Sequence, residues 1–404
     1  MPHDRLDQAL TAEVNRLQDA GTAKGAESVI TAVIPPSGGE GPRYLLEGRS
    51  QQFIRMNSNS YLGLSRHAAV IDAEETATRR FGAGPGAVRF ISGTYRPHLD
   101  LESRLAGFHR REGSMIFSSA YAAVVSTLTS LIDGETAVFS DELNHNCIIN
   151  ALRLARPASR EVYPHLGFES LSDMLSSGRA KRAIVVTDGV FSMRGDYADL
   201  ARLVDVVRSH DDGYTENVVL VVDDSHGVGA FGATGRGTEE VTDGDADVLI
   251  GTLGKAFGVN GGYVAGSSAL VAFLREKAAM YIYSNPITVG EAAAAEMSVS
   301  IVASAEGQEL LSHLAEMTTR FETGIVDLGF ETIPGPHPVV PLMVRDTART
   351  AALVDHLAGN GVLATGLNYP VVPQGDEEIR FQVNADLTPA DIDQVLGVLG
   401  RFSG

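Results

Sequence analysis

Residues 218–229 read VVLVVDDSHGVG and residues 247–258 read DVLIGTLGKAFG. Each is a short apolar, valine- and isoleucine-rich run that ends abruptly in ionisable and glycine residues. Apolar runs of this length fit strands buried on both faces of a parallel sheet, where helices cover each side. In open α/β sheets ligands sit at the carboxyl ends of the strands, so the residues that close each run are the first candidates for chemistry. The first stretch supplies Asp223 and His226, and the second Thr252 and Lys255.

The same alternation continues outward. Helices are expected at 98–111, 121–132, 145–156 and near 199–209, and strands at 114–118, 136–140, 182–187, 218–223, 247–253 and 261–265. Beyond residue 267 the pattern shifts to long helices near 267–279, 289–304 and 309–328. Strands near 339–344 and 378–383 follow, with helices at 347–359 and 389–402. This predicts an α/β chain in three parts: an N-terminal helix and extended segment (1–56), a large domain with a mostly parallel sheet (57–288), and a smaller α+β domain (289–404). Residues 1–25 carry Leu6, Leu10, Val14 and Leu17 at helical spacing and read as a docking helix without chemistry.

Composition narrows the function. Of the 404 residues 32 are basic and 51 acidic, for a formal charge of −19. That argues against a nucleic-acid or anionic-lipid surface. A single cysteine, Cys147, excludes a disulfide framework and a thiolate-rich zinc site and fits a reducing, cytoplasmic setting. No basic-then-apolar leader is read at the N-terminus, and no apolar run is long enough to span a bilayer. Only four of the 32 basic residues are lysines: Lys24, Lys181, Lys255 and Lys277.

Each strand end offers two readings. Lys255 either caps strand carbonyls or, partly desolvated, forms a Schiff base with a carbonyl. Asp223 either caps a turn, as Asp224 does equally well, or pairs with a buried cationic N–H; His226 is a structural histidine or a ligand. Ser119 is an N-cap, or the helix start at Ala120 and Tyr121 is an anion site. In SDELNHNC (140–147) Asn144 caps the next helix, or His145 stacks on a flat ligand. Ser192 is a turn residue or a hydroxyl donor. Arg380 in EEIRFQV (377–383) sits in a structural ion pair or holds a substrate carboxylate. The glycines of 82–86 and 232–237 lack the strand-then-helix context of a dinucleotide loop. One lysine, one acid, two histidines, hydroxyls, an anion-binding helix start and one arginine together match the needs of pyridoxal 5′-phosphate, and nothing insists on a metal.

The stretches NSYLGL (59–64), VRFISGT (88–94), TDGVFSM (187–193), VDDSHGVG (222–229) and GTLGKAFG (251–258) resemble those of the α-oxoamine synthases, in particular the glycine C-acetyltransferase branch. These are pyridoxal-phosphate acyltransferases on the aspartate-aminotransferase fold, fold type I. The resemblance runs from about residue 57 to the C-terminus. It implies Lys255 as the cofactor-binding lysine, Thr252, Ala120 and Tyr121 at the phosphate, and Asp223 at the pyridine nitrogen. It further implies His226 near the phenolic oxygen, His145 stacked on the ring, Ser192 beside it, and Asn59 and Arg380 at the amino-acid carboxylate. Ser284 and Asn285 would reach the phosphate from the partner subunit of a homodimer. The expected reaction joins an amino acid, glycine first, to an acyl thioester of CoA or of a carrier protein. The alternatives are another α-oxoamine synthase, of the 8-amino-7-oxononanoate or 5-aminolevulinate synthase type or a secondary-metabolism member, then a fold-type-I aminotransferase or aldolase, and a catalytically dead partner subunit. Two stretches depart from the pattern: Pro286 replaces a serine in YSNPITVG (283–290), and FGAGPGAVRF (81–90) is similar in part to the 5-aminolevulinate synthases. Both bear on the acyl group.

Overall fold

The computed structural model describes residues 1–404 apart from 1–2, 21, 24, 370 and 403–404, so Lys24 lies outside the described residues. Strands β1 (Ile30–Ile34), β2 (Arg43–Leu46) and β3 (Gln52–Arg55) form an antiparallel ribbon near the N-terminus. The central sheet contains β4 (Gly113–Phe117), β5 (Thr136–Asp141), β6 (Ser159–Tyr163), β7 (Arg182–Asp188), β8 (Val218–Asp223), β9 (Val248–Thr252) and β10 (Gly262–Gly266). Towards the C-terminus β11 (Glu331–Thr332), β12 (Val339–Met343), β14 (Thr365–Leu367) and β15 (Glu378–Gln382) make a third sheet, while β13 (Val362–Leu363) joins β3 in parallel.

The seven strands lie in the order β4-β10-β9-β8-β7-β5-β6. All neighbours from β9 to β6 pair in parallel, and β10 runs antiparallel to both β4 and β9. The mostly parallel α/β sheet of the sequence reading is present, although the apolar runs gave no sign that β10 reverses. Alternation along each strand feeds two helical layers. Ile184 and Val186 of β7 pack with the Ala120–Leu131 and Asn146–Leu154 helices, whereas Ala183 and Val185 pack with the Phe168–Ser177 and Leu200–Ser209 helices. A further apolar cluster joins Leu64 and Phe257 to Phe321 of the Ala305–Asp327 helix and to Ile379 and Phe381 of β15, so the C-terminal part shares its core with the sheet.

Strand β6 lies beyond β5 while β7 lies on β5's other side, so the chain changes direction between β5 and β7. Loops diverge there and leave a crevice at the strands' carboxyl ends. One reading of the N-terminal segment needs amendment. The helix spans Asp4–Asp19, and its Leu6, Leu10 and Val14 are exposed, so it does not dock on its own chain. The ribbon that follows is tied to the C-terminal part through β3 and β13. Among the described residues no helix is long and apolar enough to cross a membrane.

Candidate active site

A cavity of about 270 Å³ occupies that crevice. Ala120, Tyr121, His145, Ser192, Asp223, His226, Thr252 and Lys255 all line it, although they come from five separate strand ends. Lys255 follows β9 through Gly254, whose N–H donates to Thr252 Oγ1 at 3.1 Å. Burial pushes the amine down to about 8 despite Asp223 and Asp188 nearby, which favour its charged form. Among the described residues no carboxylate lies in ion-pair contact with it, and an amine held this way is nucleophilic near neutral pH.

Asp223 and Asp224 are neighbours with different surroundings. Asp223 Oδ1 accepts from Ser225 N at 3.1 Å and Oγ at 2.6 Å, and its carboxyl lines the cavity. Asp224 points away, accepting from Thr238 N at 2.7 Å and Oγ1 at 2.6 Å. Burial raises Asp224 to about 7. Glycines surround it. A Cβ on Gly189, Gly227 or Gly237 would come within 2.2, 2.2 and 2.0 Å of its oxygens. Both acids therefore cap: Asp223 holds the turn directly after β8 through Ser225 N while lining the cavity, and Asp224 caps the distant helix start at Thr238.

Ser119 is the N-cap of the Ala120–Leu131 helix, its Oγ accepting from Ala122 N at 3.1 Å. The cap does not engage the amides of Ala120 and Tyr121, so the anion site and the cap coexist. At the next helix the expected cap is wrong. His145, not Asn144, is the N-cap, with Nδ1 accepting from Cys147 N at 3.2 Å. The Asn144 amide instead bridges β5 and β7, donating to Ser140 Oγ and Val186 O and accepting from Asp188 N, each at 2.9 Å. Because Nδ1 accepts, the His145 ring carries its proton on Nε2. Burial lowers its pKa.

Five participants escaped the sequence reading. Asp188 stands beside Asp223 in the β7–β8 register and accepts from His145 N at 2.8 Å. Burial and the adjacent Asp223 raise its pKa well above the usual carboxylate range. Cys147 Sγ lies 2.9 Å from His145 Nδ1 and 3.5 Å from Asp223 Oδ2. Tyr61 Oη is 2.7 Å from His226 Nδ1, and His337 Nε2 donates to His226 O at 3.0 Å. Burial keeps both histidines neutral, with His337 down to about 4. Gln382 is the fifth. With its amide oxygen turned to Arg380 it accepts from Nε and Nη2, each at 2.8 Å. Of these, Asp188 and Gln382 left a local signal: one ends an apolar run as Asp223 does, and the other lies two residues along β15 from Arg380.

Arg380 Nη1 also donates to Ser192 O at 3.1 Å, so neutral oxygens hold the guanidinium, and among the described residues it forms no ion pair. The Asn59 amide lies 3.1 Å from the Gln382 amide, on the Arg380 side of Ser192, and neither Asn59 nor Arg380 itself lines the cavity. Ser284 and Asn285 lie away from the cavity of their own chain. Ser284 Oγ donates to Asn285 O at 3.4 Å, Asn285 is exposed, and the adjacent Tyr283 is 80% exposed.

The family model for aminotransferase class I and II matches residues 51–399. The chain belongs to that family. Within it the chain is an α-oxoamine synthase. It is 35% identical over 408 residues to the mitochondrial 2-amino-3-ketobutyrate coenzyme A ligase of Bos taurus, covering 99% of this chain and 93% of that protein. It is 38% identical over 368 residues to the 8-amino-7-oxononanoate synthase of Marinobacter nauticus, covering 90% of each. The serine palmitoyltransferase of Sphingomonas wittichii superposes with a TM-score of 0.88 at 26% identity, covering 98% of this chain and 97% of that one. The α-oxoamine synthases are fold-type-I enzymes that depend on pyridoxal 5′-phosphate, and the cavity suits that group. It offers a deprotonatable amine, free amides at a helix start beside the Thr252 hydroxyl, a flat histidine ring and a carboxyl.

Proposed function

We propose that the protein is an acyltransferase that joins the α-carbon of an amino acid, glycine first, to the carbonyl carbon of an acyl thioester. The α-carbon loses its proton, the new carbon–carbon bond forms, and the thiol leaves. The product is an α-amino-β-keto acid, or an α-oxoamine once CO₂ is lost. The observation that carries this reading is the convergence of Lys255, Asp223, His145 and the 120–121 amides on one cavity.

Bound there, pyridoxal 5′-phosphate supplies an electron sink for a carbanion at the amino acid's α-carbon. Lys255 tethers the cofactor and then serves as base, a task its depressed pKa of about 8 suits. The 120–121 amides and the Thr252 hydroxyl bind the phosphate. Asp223 keeps a proton on the ring nitrogen, held in place by Ser225. His145 covers the ring and presents its Nε2 proton to developing oxyanion charge. Ser192 and His226 line the ring's remaining edge, and Tyr61 fixes His226. Arg380 and Asn59 receive the carboxylate, with Gln382 presenting the Arg380 fork. In this reading residues 57–288 hold the cofactor, 289–404 supply Arg380, and 1–56 form the N-terminal segment.

The active form in this reading is a homodimer, with Ser284 and Asn285 of each subunit completing the other's phosphate site. Exposed apolar side chains support it: Tyr283, Phe90 and Ile91, together with Leu6, Leu10 and Val14 of the first helix. The lone cysteine, buried and free, supports a reducing compartment, and we place the enzyme in the cytoplasm. The acyl group is open between the types its relatives represent, and the donor is CoA or a carrier-protein thioester. Thiol release with glycine across a series of acyl-CoAs, with mass analysis of products, tests the reading. One chain length stands out if it is right. Absence of thiol release with every thioester, alongside transamination or aldol cleavage, overturns it. Borohydride followed by peptide mapping is expected to find the cofactor fixed to Lys255.

A further inference from the structure

Strand alternation places Glu378, Arg380 and Gln382 on one face of β15, while Ile379 and Phe381 enter the core on the other. Two of the three, Arg380 and Gln382, belong to the site already described. The third has no assigned task. Glu378 is 2% exposed, and its Oε1 is buried without a hydrogen-bond partner. Its neighbour Glu377 is satisfied, accepting from Gly375 N at 3.1 Å and Thr347 Oγ1 at 3.4 Å.

Glu378 lines a cavity of about 120 Å³, whose wall includes Phe191, Met193, Met343 and Val372. Ser192 lines both this cavity and the cofactor cavity, so the two adjoin. The nearby cations are committed elsewhere: Arg194 Nε donates to Asp196 at 2.8 Å, and Arg380 to Gln382 and Ser192. Burial raises Glu378 to about 8 although both arginines oppose it, so near neutral pH the carboxyl is largely protonated. A buried polar atom without a partner is costly, and such atoms are rare in folded proteins unless something else satisfies them. The space equals about four water volumes, enough for a short substituent.

We propose that this cavity is a second substrate subsite, in which Glu378 pairs with a hydroxyl or amide carried on an otherwise apolar part of a substrate. The substituent comes from the amino acid's side chain or from the acyl group. The inference depends on the proposed function only for the identity of those substrates.

Turnover-free binding to the holoenzyme separates the two sources. The amino-acid arm compares serine with alanine, and threonine with 2-aminobutyrate, by the cofactor's absorption change. The acyl arm compares 3-hydroxybutyryl-CoA with butyryl-CoA by calorimetry. In one arm the hydroxylated member should bind at least about tenfold more tightly than its partner, because a site built around a polar group discriminates strongly against ligands that leave it unpaired. Glu378→Leu should shrink that ratio to about twofold or less, while Glu378→Gln keeps most of it. The subsite is overturned if neither arm shows a preference in the wild type, or if the preference survives Glu378→Leu. Thiol release, measured separately, reports on the acyltransferase reading and does not enter this outcome.

Discussion

Two cavities open on the same sheet, one at each end of its strands. The one at the carboxyl ends is about 270 Å³, and a groove at the amino ends of β7, β8 and β9 is larger, about 470 Å³. Both are rich in charge. In the groove every prominent charge has a partner: Arg182 meets Glu216 at 2.5 Å, and Arg208 meets Asp247 at 2.5 Å and Asp211 at 4.0 Å. In the cavity Lys255, Asp223 and Asp188 approach one another without forming a pair within ion-pair distance, and the helix-start amides are free. Size does not mark the site. Unspent polar capacity does, because a desolvated group without a fixed partner holds its interaction energy for a ligand.

The sharpest way to break this contrast is Lys255→Ala. Turnover should fall by at least about 10⁴-fold, since tether and base go together, while the variant still folds. Thiol release and circular dichroism check both halves. Asp223→Ala should cost about 10²–10³-fold, as removal of one preorganised electrostatic group does, and should change the absorption of bound cofactor. A wild-type spectrum in that variant would remove Asp223 from its role.

A smaller effect lies in the pH dependence of stability. The folded apoprotein holds the Lys255 amine at about 8, below its ordinary value of 10.5. Below about pH 8 the amine is charged in both folded and unfolded chains, and the burial penalty is fully present. Between about 8 and 10.5 the folded chain sheds the proton first, so stability rises with pH. Apoprotein carrying Lys255→Met should therefore melt above wild type at pH 7, with the gap closing towards pH 10. A gap that does not depend on pH would show that the amine is not desolvated. The smallest effect is expected in the groove. Arg182→Gln should change stability by less than about 1 kcal/mol and leave turnover unchanged.

How much of the site the sequence revealed follows the same physics. Lys255, Asp223, Thr252 and His226 were legible because each closes an apolar run, and a buried run ending in charge is a local pattern. Asp188 closes its own run in the same way, but the apolar run 182–187 stops one residue short of it, and only the pairing of β7 with β8 sets it beside Asp223. Tyr61 and His337 act through contacts with His226, 165 and 111 residues away, and no local pattern encodes those. Cys147 was weighed only as a disulfide or metal residue. In the fold, β6 was missed because it is an edge strand whose residues Ser159, Arg160 and Glu161 face solvent or lie part-buried, leaving no apolar run. The Ala68–Phe81 helix shows in the sequence only as a helix-like stretch before Gly82 without clear bounds, because it buries only Val70 and Ala77. Arg380 was found for its charge, but its oxygen partners depend on the pairing of β15 with the rest of the chain.

The glycine collar around Asp224 has a dynamic consequence. Residues 189, 227 and 237 belong to the two loops, after β7 and after β8, that bring Ser192 and His226 to the wall of the cofactor cavity, and none can carry a side chain without striking the same carboxyl. Gly227 and Val228 also donate their amides to the Asp224 carbonyl, at 3.0 and 2.9 Å, and Thr238 donates to its side chain. Loops at catalytic sites usually open independently and exchange their amide hydrogens quickly. Here one aspartate ties two of them into a single cooperative unit. The amides of residues 227, 228 and 238 should then exchange with deuterium as slowly as those of β8, so that this wall loosens only when the sheet itself comes apart.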